Sequence, residues 1–366
     1  MFKYILRRLL QSVPLLFLIS IILYLLLTAT GDPVSSMGGR MPPAEEDRER
    51  LRIALGLDQP PLVQYFVWLV GNDWMRYDTD GDRVADTTFC PLPNVICVPL
   101  DSNGDGKPDP IGTRKGVIRG DFGTSLATRR PAIDMISERL PNTLLLMVTA
   151  QVVIVAVSLF VGIMSALKQY SVWDNALTTF SFVMYSVPVF LMAYLLSYIF
   201  AFQFRQWGLP YLPTNGMYDP LVGPTPEQVL RHMILPVTTI SLISIAGYSR
   251  FIRSAMLEVI NADYIRTARS KGIAERRILF VHAFKNASLP FVTLVGLDLP
   301  FLLAGAVVTE SIFAWPGMGW LYIQQLQRSD FPVMMGILMM IAVAVVIFQI
   351  LTDIVYSWLD PRIRFD

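Results

Sequence analysis

The chain has 366 residues, of which 53% are hydrophobic and 16% charged, with a mean hydropathy of +0.48. A water-soluble domain is nearer one quarter charged, so this composition excludes an ordinary soluble globule and points to a polytopic membrane protein. A net charge of +1 without a basic, aromatic patch gives no ground for a nucleic-acid partner, and two Cys with two His are too few for separate zinc sites and ill placed for one.

Lys3, Arg7 and Arg8 precede an apolar run from Leu9 to Ala29, long enough to cross a bilayer. A cleaved signal peptide has a shorter apolar region and a small-x-small site, and none is clear before Gly31. Residues 1–30 therefore read as a retained first span with its amino terminus inside. Residues 31–139 are too polar to span and read as extracytoplasmic. Within them DTDGDRVAD (Asp78–Asp86) and DSNGDGKPD (Asp101–Asp109) repeat at a spacing of 23 residues. Oxygen ligands fall at matching positions, Asp78, Asp80, Asp82 and Asp86, then Asp101, Asn103, Asp105 and Asp109. Alternating carboxylates with Gly at the bend suit a hard cation such as calcium. Arg83 stands where Gly106 stands in the second copy, and neither copy has the bidentate Glu of an EF-hand. The competing reading is an Asp/Gly-rich turn sequence that is merely soluble. Cys90 and Cys97 lie between the copies, where an oxidising compartment joins them as a disulfide and a reducing envelope leaves two thiols.

The second span is Thr143–Ala166, nearly free of charge apart from polar Gln151, followed by a tight inner loop at Lys168–Asn175. Ala176–Phe202 reads as a third span kinked at Pro188, and 203–231 as an outer, Pro-rich loop. Met233–Tyr248 begins the fourth span, with Arg250 and Arg253 at its inner end. Phe291–Ile312 is the fifth, Phe313–Pro332 an outer segment, and Val333–Trp358 the sixth. Six spans place both termini in the cytoplasm. Asp298 lies deep in the fifth span, where a carboxylate faces a pore or pairs helices rather than lipid. Glu310 and Asp353 lie near span ends, within reach of water.

Between the fourth and fifth spans, in a loop at 254–289, lies the basic tract Tyr264–Pro290. Arg266–Lys271 reads as helix, Gly272 as a left-handed stop, and a second helix follows from about Ala274. Charge alone specifies only topology, because cytoplasmic loops are rich in Lys and Arg. No G-x-x-x-x-G-K-[ST], G-x-S-x-G or H-E-x-x-H occurs, so the chain carries neither the usual ATP-cradling loop nor a common hydrolase motif.

Arg266-Thr267-Ala268, three residues and then Gly272 resemble the EAA loop of ABC-importer permeases. Arg266 replaces the first Glu of that motif, and Phe284-Lys285 stand where its Leu-Pro is usual, with Leu289-Pro290 coming later. ARSKG…HAFKNASLP is similar to the form found in dipeptide and oligopeptide (B-type) permeases. The opening FKYILRRLLQSVPLLFLIS, the tracts at 116–146 and 313–332, and the ending LDPRIR resemble the same group. There LGLDQPPLVQYFVWL and GVIRGDFGTS nearly abut, so 71–115 is an insertion that the resemblance leaves unexplained. The resemblance implies an all-α polytopic protein with six transmembrane helices, a type I ABC-importer permease fold, a small irregular extracytoplasmic insertion and a core at 140–366. It further implies a non-enzymatic transport subunit without a cofactor of its own in the bacterial inner membrane. Its partners would be a second permease, two cytoplasmic ATPases and an external binding protein. Arg266, Thr267, Ala268, Arg269, Lys271 and Gly272 would couple to the ATPase, and the fifth span with Asp298 would line the pathway. Di- or oligopeptides are the expected substrate. Nickel, glutathione or another solute of the same group is the alternative, as is a non-transporting scaffold or receptor with a calcium-binding outer module.

Overall fold

The computed structural model describes residues 2–29, 52, 57, 59–80, 84–90, 98–101, 106–108 and 111–359. Its main helices are α1 (Phe2–Ala29), α2 (Pro61–Val70), α3 (Ala132–Leu167), α4 (Val172–Ser186), α5 (Val189–Ser197), α6 (Pro226–Ile260), α7 (Asp263–Ser270), α8 (Phe284–Ile312), α9 (Met318–Gln327) and α10 (Phe331–Leu359). Two short strands, β1 (Arg76–Tyr77) and β2 (Thr87–Thr88), pair antiparallel within the insertion.

Five stretches are long and apolar enough to cross a membrane: Leu6–Ala29, Ala132–Leu167, Val189–Gln206, Pro226–Ile260 and Phe331–Val355. A sixth is reached when Glu275–Ser288 and Pro290–Gly296, bent by 44°, count as one span. The expected third span is not one kinked helix. α4 ends at Ser186, Val187 is extended (φ −85°, ψ 124°), and α5 starts anew after Pro188. Proline supplies no N–H and pushes the preceding residue out of the helical region, so the backbone ladder breaks there. The second span also begins earlier than its apolar run, because α3 starts at Ala132 in a polar turn.

The chain divides into two compact units, one of residues 1–12, 139–321 and 343–366, the other of 13–138 and 322–342. The core of the first unit is built from Leu146, Ala150 and Ile154 of α3, Ile252 and Met256 of α6, and Phe291 of α8. Ile265 and Ala268 of α7 join the same cluster, so the basic hairpin is rooted in it. In the second unit, α1 and α2 meet through Tyr24, Tyr65 and Trp68, and the Ser20 and Tyr65 hydroxyls share a hydrogen bond of 2.7 Å.

The insertion rises from a closed neck in the second unit. Asn72 N–H donates to the Arg114 carbonyl (3.0 Å), and Arg114 N–H donates to Asn72 Oδ1 (3.0 Å). A Cβ on Gly116 would lie 2.3 Å from Gly71 N, so the two ends of the tract touch backbone to backbone. Gly71 and Gly116 therefore abut at this neck.

Candidate functional site

The tract 263–277 folds as a helical hairpin. α7 ends at Ser270, Lys271 caps it, and Gly272 takes φ +71°. Gly272 N–H donates to Arg269 O (3.0 Å) and Ile273 N–H to Ala268 O (3.3 Å), satisfying carbonyls that the helix end leaves open. A second helical turn runs from Glu275 to Arg277 and continues, π-wound over Ile278–Ala283, into α8. Glu275 accepts two hydrogen bonds from Arg269, at 2.7 and 3.2 Å, tying the second turn to the first. That guanidinium holds the Glu275 carboxyl below its ordinary range. Asn286 Nδ2 donates to the Tyr264 hydroxyl (3.0 Å), a further tie between α7 and α8.

This arrangement sorts the six residues singled out in the sequence. Ala268, with Ile265 beside it, faces the core, and Arg269 is engaged by Glu275. Arg266, Thr267, Lys271 and Gly272 are exposed, as are Arg276 and Arg277. The hairpin is thus a rigid basic knob whose apolar side is already buried.

Behind it, Arg253 of α6 grips Asp174 in the first turn of α4 with two hydrogen bonds of 2.8 Å. Ser165 Oγ and Tyr170 N–H also donate to that carboxylate. The Asp174 side chain is 2% exposed, and its Arg253 partner holds its pKa far below the ordinary carboxylate range. The pair fixes the loop at 168–171 to the helix that leads into the hairpin.

Glu310 does not reach water. It is fully buried and accepts from Thr143 Oγ1 (2.7 Å), Gly319 N–H (2.7 Å) and Trp320 N–H (3.1 Å). The carboxylate occupies the amino-terminal end of α9, where free N–H groups and the helix dipole favour an anion. Gly317 has to be glycine, because a Cβ there would stand 2.3 Å from the carboxylate. Trp315 Nε1 donates to Asn142 O (3.0 Å) and Asn142 Nδ2 to Pro316 O (2.8 Å), pinning the same turn to α3. In the second unit, buried Asp330 binds Ser125 Oγ, Leu126 N–H and Ala127 N–H. Both carboxylates organise segments that the sequence marks as familiar, but Thr143 for Glu310 and Ser125 for Asp330 are partners far away in the chain that leave no local signal.

Asp298 is partly buried in α8. In the insertion, Asp86 accepts from Thr79 and Thr87, and Asp101 Oδ2 accepts from Gly106 N–H (2.8 Å). Asp78 and Asp80 belong to the loop between β1 and β2, while Asp82, Asn103, Asp105 and Asp109 lie outside the described residues. Among the described residues no group of three or more His, Cys, Asp or Glu side chains is arranged as a metal site. Cys90 is not a free thiol, and Cys97 lies outside the described residues.

Comparison with known proteins connects these features. Residues 158–365 match the binding-protein-dependent transport system inner membrane component family, and residues 1–95 match the amino-terminal part of such membrane components. The oligopeptide transport system permease protein AppB of Bacillus subtilis is 34% identical, covering 100% of both chains. The dipeptide transport system permease protein DppB of Escherichia coli K12 is 31% identical, covering 100% of this chain and 99% of its own. The hairpin between α6 and α8 and the carboxylate-locked turn before α9 fall within residues 158–365, whereas α3 begins before that match. The chain is a multi-pass membrane protein that belongs to the binding-protein-dependent transport system inner membrane component family, and it has the type I permease fold of ABC importers.

Proposed function

We propose that the chain is the permease subunit of an ATP-driven importer of di- or oligopeptides, working with a second permease, two cytoplasmic ATPases and an external binding protein. The observation that carries this reading is the exposed hairpin with its fixed αL turn at Gly272, anchored through Ile265 and Ala268. Hydrolysis belongs to the ATPases. Arg266, Thr267, Lys271 and Gly272 form the docking face, Ala268 seats it, and Arg269 braces it. The hairpin and both termini then lie in the cytoplasm, in accord with the positive-inside rule. Asp298 lines the pathway. In the outer insertion each Asp repeat holds a calcium ion, through Asp78, Asp80, Asp82 and Asp86 and through Asp101, Asn103, Asp105 and Asp109, while Cys90 bonds Cys97. The hydrogen bond from Gly106 N–H to Asp101 Oδ2 supports that reading, because it directs one donor at the first carboxylate of the second repeat. The direct test is purification of the tagged chain with its partners and assay of tri-alanine uptake in proteoliposomes. Copurification of an ATPase with ATP-dependent uptake supports the proposal, and a lone chain without uptake refutes it.

A further inference from the structure

Two arginines stand one turn apart on α6, and only one of them has an acid. Arg253 takes both oxygens of Asp174, to which Ser165 Oγ and Tyr170 N–H also donate, so that carboxylate is fully used. Arg250 forms no ion pair among the described residues, although it lies within the span Pro226–Ile260. A charge there is costly and normally faces the bundle interior or a polar cavity. Its guanidinium lies over the rings of Phe182 and Tyr185 of α4, 4.6 and 4.9 Å from their centres. Ring faces offset part of the charge but leave the fork of N–H donors open. Nε donates to Ala246 O (3.0 Å), and the two Nη groups have no acceptor among the described residues. Ala246 is a turn further from the hairpin, so the side chain reaches back into the span. An arginine that only snorkelled would extend the other way, toward the nearer helix end.

Arg250 lines a cleft between α3, α4 and α6, together with Ser165, Thr178, Ser181, Ser249 and Arg253. Ser249 is 3% exposed, and its hydroxyl has no hydrogen-bond partner. Buried hydroxyls are normally paired. An open guanidinium fork and an unpaired hydroxyl on one cleft have an anion with several acceptor oxygens as their complement.

We propose that Arg250 and Ser249 form a site for the carboxylate of a peptide in transit. The inference deepens the peptide-permease reading above and rests on it. A carboxylate fits the fork through two parallel N–H···O bonds and supplies the charge that Arg250 lacks. Ser249 Oγ donates to one of the same oxygens. Phe182 and Tyr185 are positioning residues, because their rings hold the guanidinium at the cleft. A lipid phosphate offers the same acceptors, but the course of the side chain into the span favours a solute within the bundle.

The test uses the whole complex in proteoliposomes, with its binding protein saturated by tri-alanine or by tri-alanine amide, which lacks the carboxylate. Arg250→Gln is expected to lower tri-alanine uptake at least fivefold, with partner copurification and basal ATP hydrolysis within twofold of wild type. Arg250→Lys keeps the charge and is expected to retain more uptake than Arg250→Gln. The preference of the wild-type complex for tri-alanine over its amide is expected to shrink at least fivefold in Arg250→Gln. Ser249→Ala, and Phe182→Leu with Tyr185→Leu, are expected to raise the half-saturating peptide concentration more than they lower the maximal rate. Wild-type tri-alanine uptake by Arg250→Gln, or an equal fall for both peptides, overturns the site, and loss of assembly shows a structural cation instead. A defect present with phosphatidylglycerol in the vesicles and absent in phosphatidylcholine alone shows a lipid site and also overturns the proposal. Failure of the wild-type complex to take up tri-alanine refutes the peptide reading itself, a result distinct from these.

Discussion

Removal of the Glu310 carboxylate is expected to loosen the turn before α9 more than any other single truncation there. The side chain is fully buried and receives three hydrogen bonds, two from backbone N–H groups and one from Thr143. Each buried donor left without a partner costs about 1–3 kcal/mol, so the three donors opened by Glu310→Ala are expected to cost about 3–9 kcal/mol, with the vacated volume adding to it. Thr143 softens this total, since its hydroxyl also accepts from Met318 N–H (2.8 Å) and stays anchored. Glu310→Gln keeps the volume and one acceptor, and is expected to cost about 1–2 kcal/mol. Gly317→Ala forces a methyl group against the carboxylate and is expected to match Glu310→Gln or exceed it. The assay is thermal stability of the detergent-purified complex, followed by size-exclusion recovery after heating. The expected order is wild type, Glu310→Gln, Glu310→Ala. Equal recovery for wild type and Glu310→Ala would refute the argument that this carboxylate locks the turn.

Gly272 has open space around it, so a substitution there costs only backbone strain, about 1–2 kcal/mol for a left-handed residue. Gly272→Val is expected to uncouple ATP hydrolysis from uptake while the chain still inserts, whereas Gly272→Asn, which tolerates the same φ, is expected to retain coupling in the same proteoliposome assay. Asp174→Asn leaves Arg253 facing a neutral group and is expected to lower thermal stability at pH 7. The folded Asp174 pKa is lowered, so its stabilisation is complete above the unfolded value of about 3.9 and fades only as pH falls below it. The gap between wild type and Asp174→Asn is therefore expected to stay constant from pH 8 to 5; a gap that closes across that range contradicts the assignment. Millimolar calcium is expected to slow hydrogen exchange at 78–86 and 101–109 in the whole protein, an effect lost in Asp101→Ala with Asp105→Ala. Exchange indifferent to calcium would leave an Asp/Gly-rich turn sequence.

Much of the architecture was legible because its causes are local. Gly272 is followed by a short linker and preceded by an amphipathic turn, and this pattern located the turn of the hairpin within a residue, although the first helix starts at Asp263, three residues before the expected Arg266. Apolar length located the spans for the same reason. The break at Val187–Pro188 is sharper than the kink expected from sequence, since a proline within an apolar run signals either a kink or an end and only packing decides between them. Glu310 was misplaced because its depth depends on a turn that folds back over it, with Thr143 and Trp320 as partners from opposite sides in the chain. Asp174 and Arg253 are 79 residues apart, and nothing near either one announces the other.

The central claim is that the exposed basic face of the hairpin receives an ATPase and couples it to transport. Reversal of two exposed charges on that face, Arg266→Glu with Lys271→Glu, leaves the buried Ile265 and Ala268 anchor intact. The decisive measurement is ATP hydrolysis stimulated by the substrate-loaded binding protein in complexes carrying the wild-type chain or the doubly reversed one. The expected result is strong stimulation with the wild-type chain and loss of it, with weaker retention of the ATPase, in the reversed chain. Equal stimulation and equal retention would contradict the account.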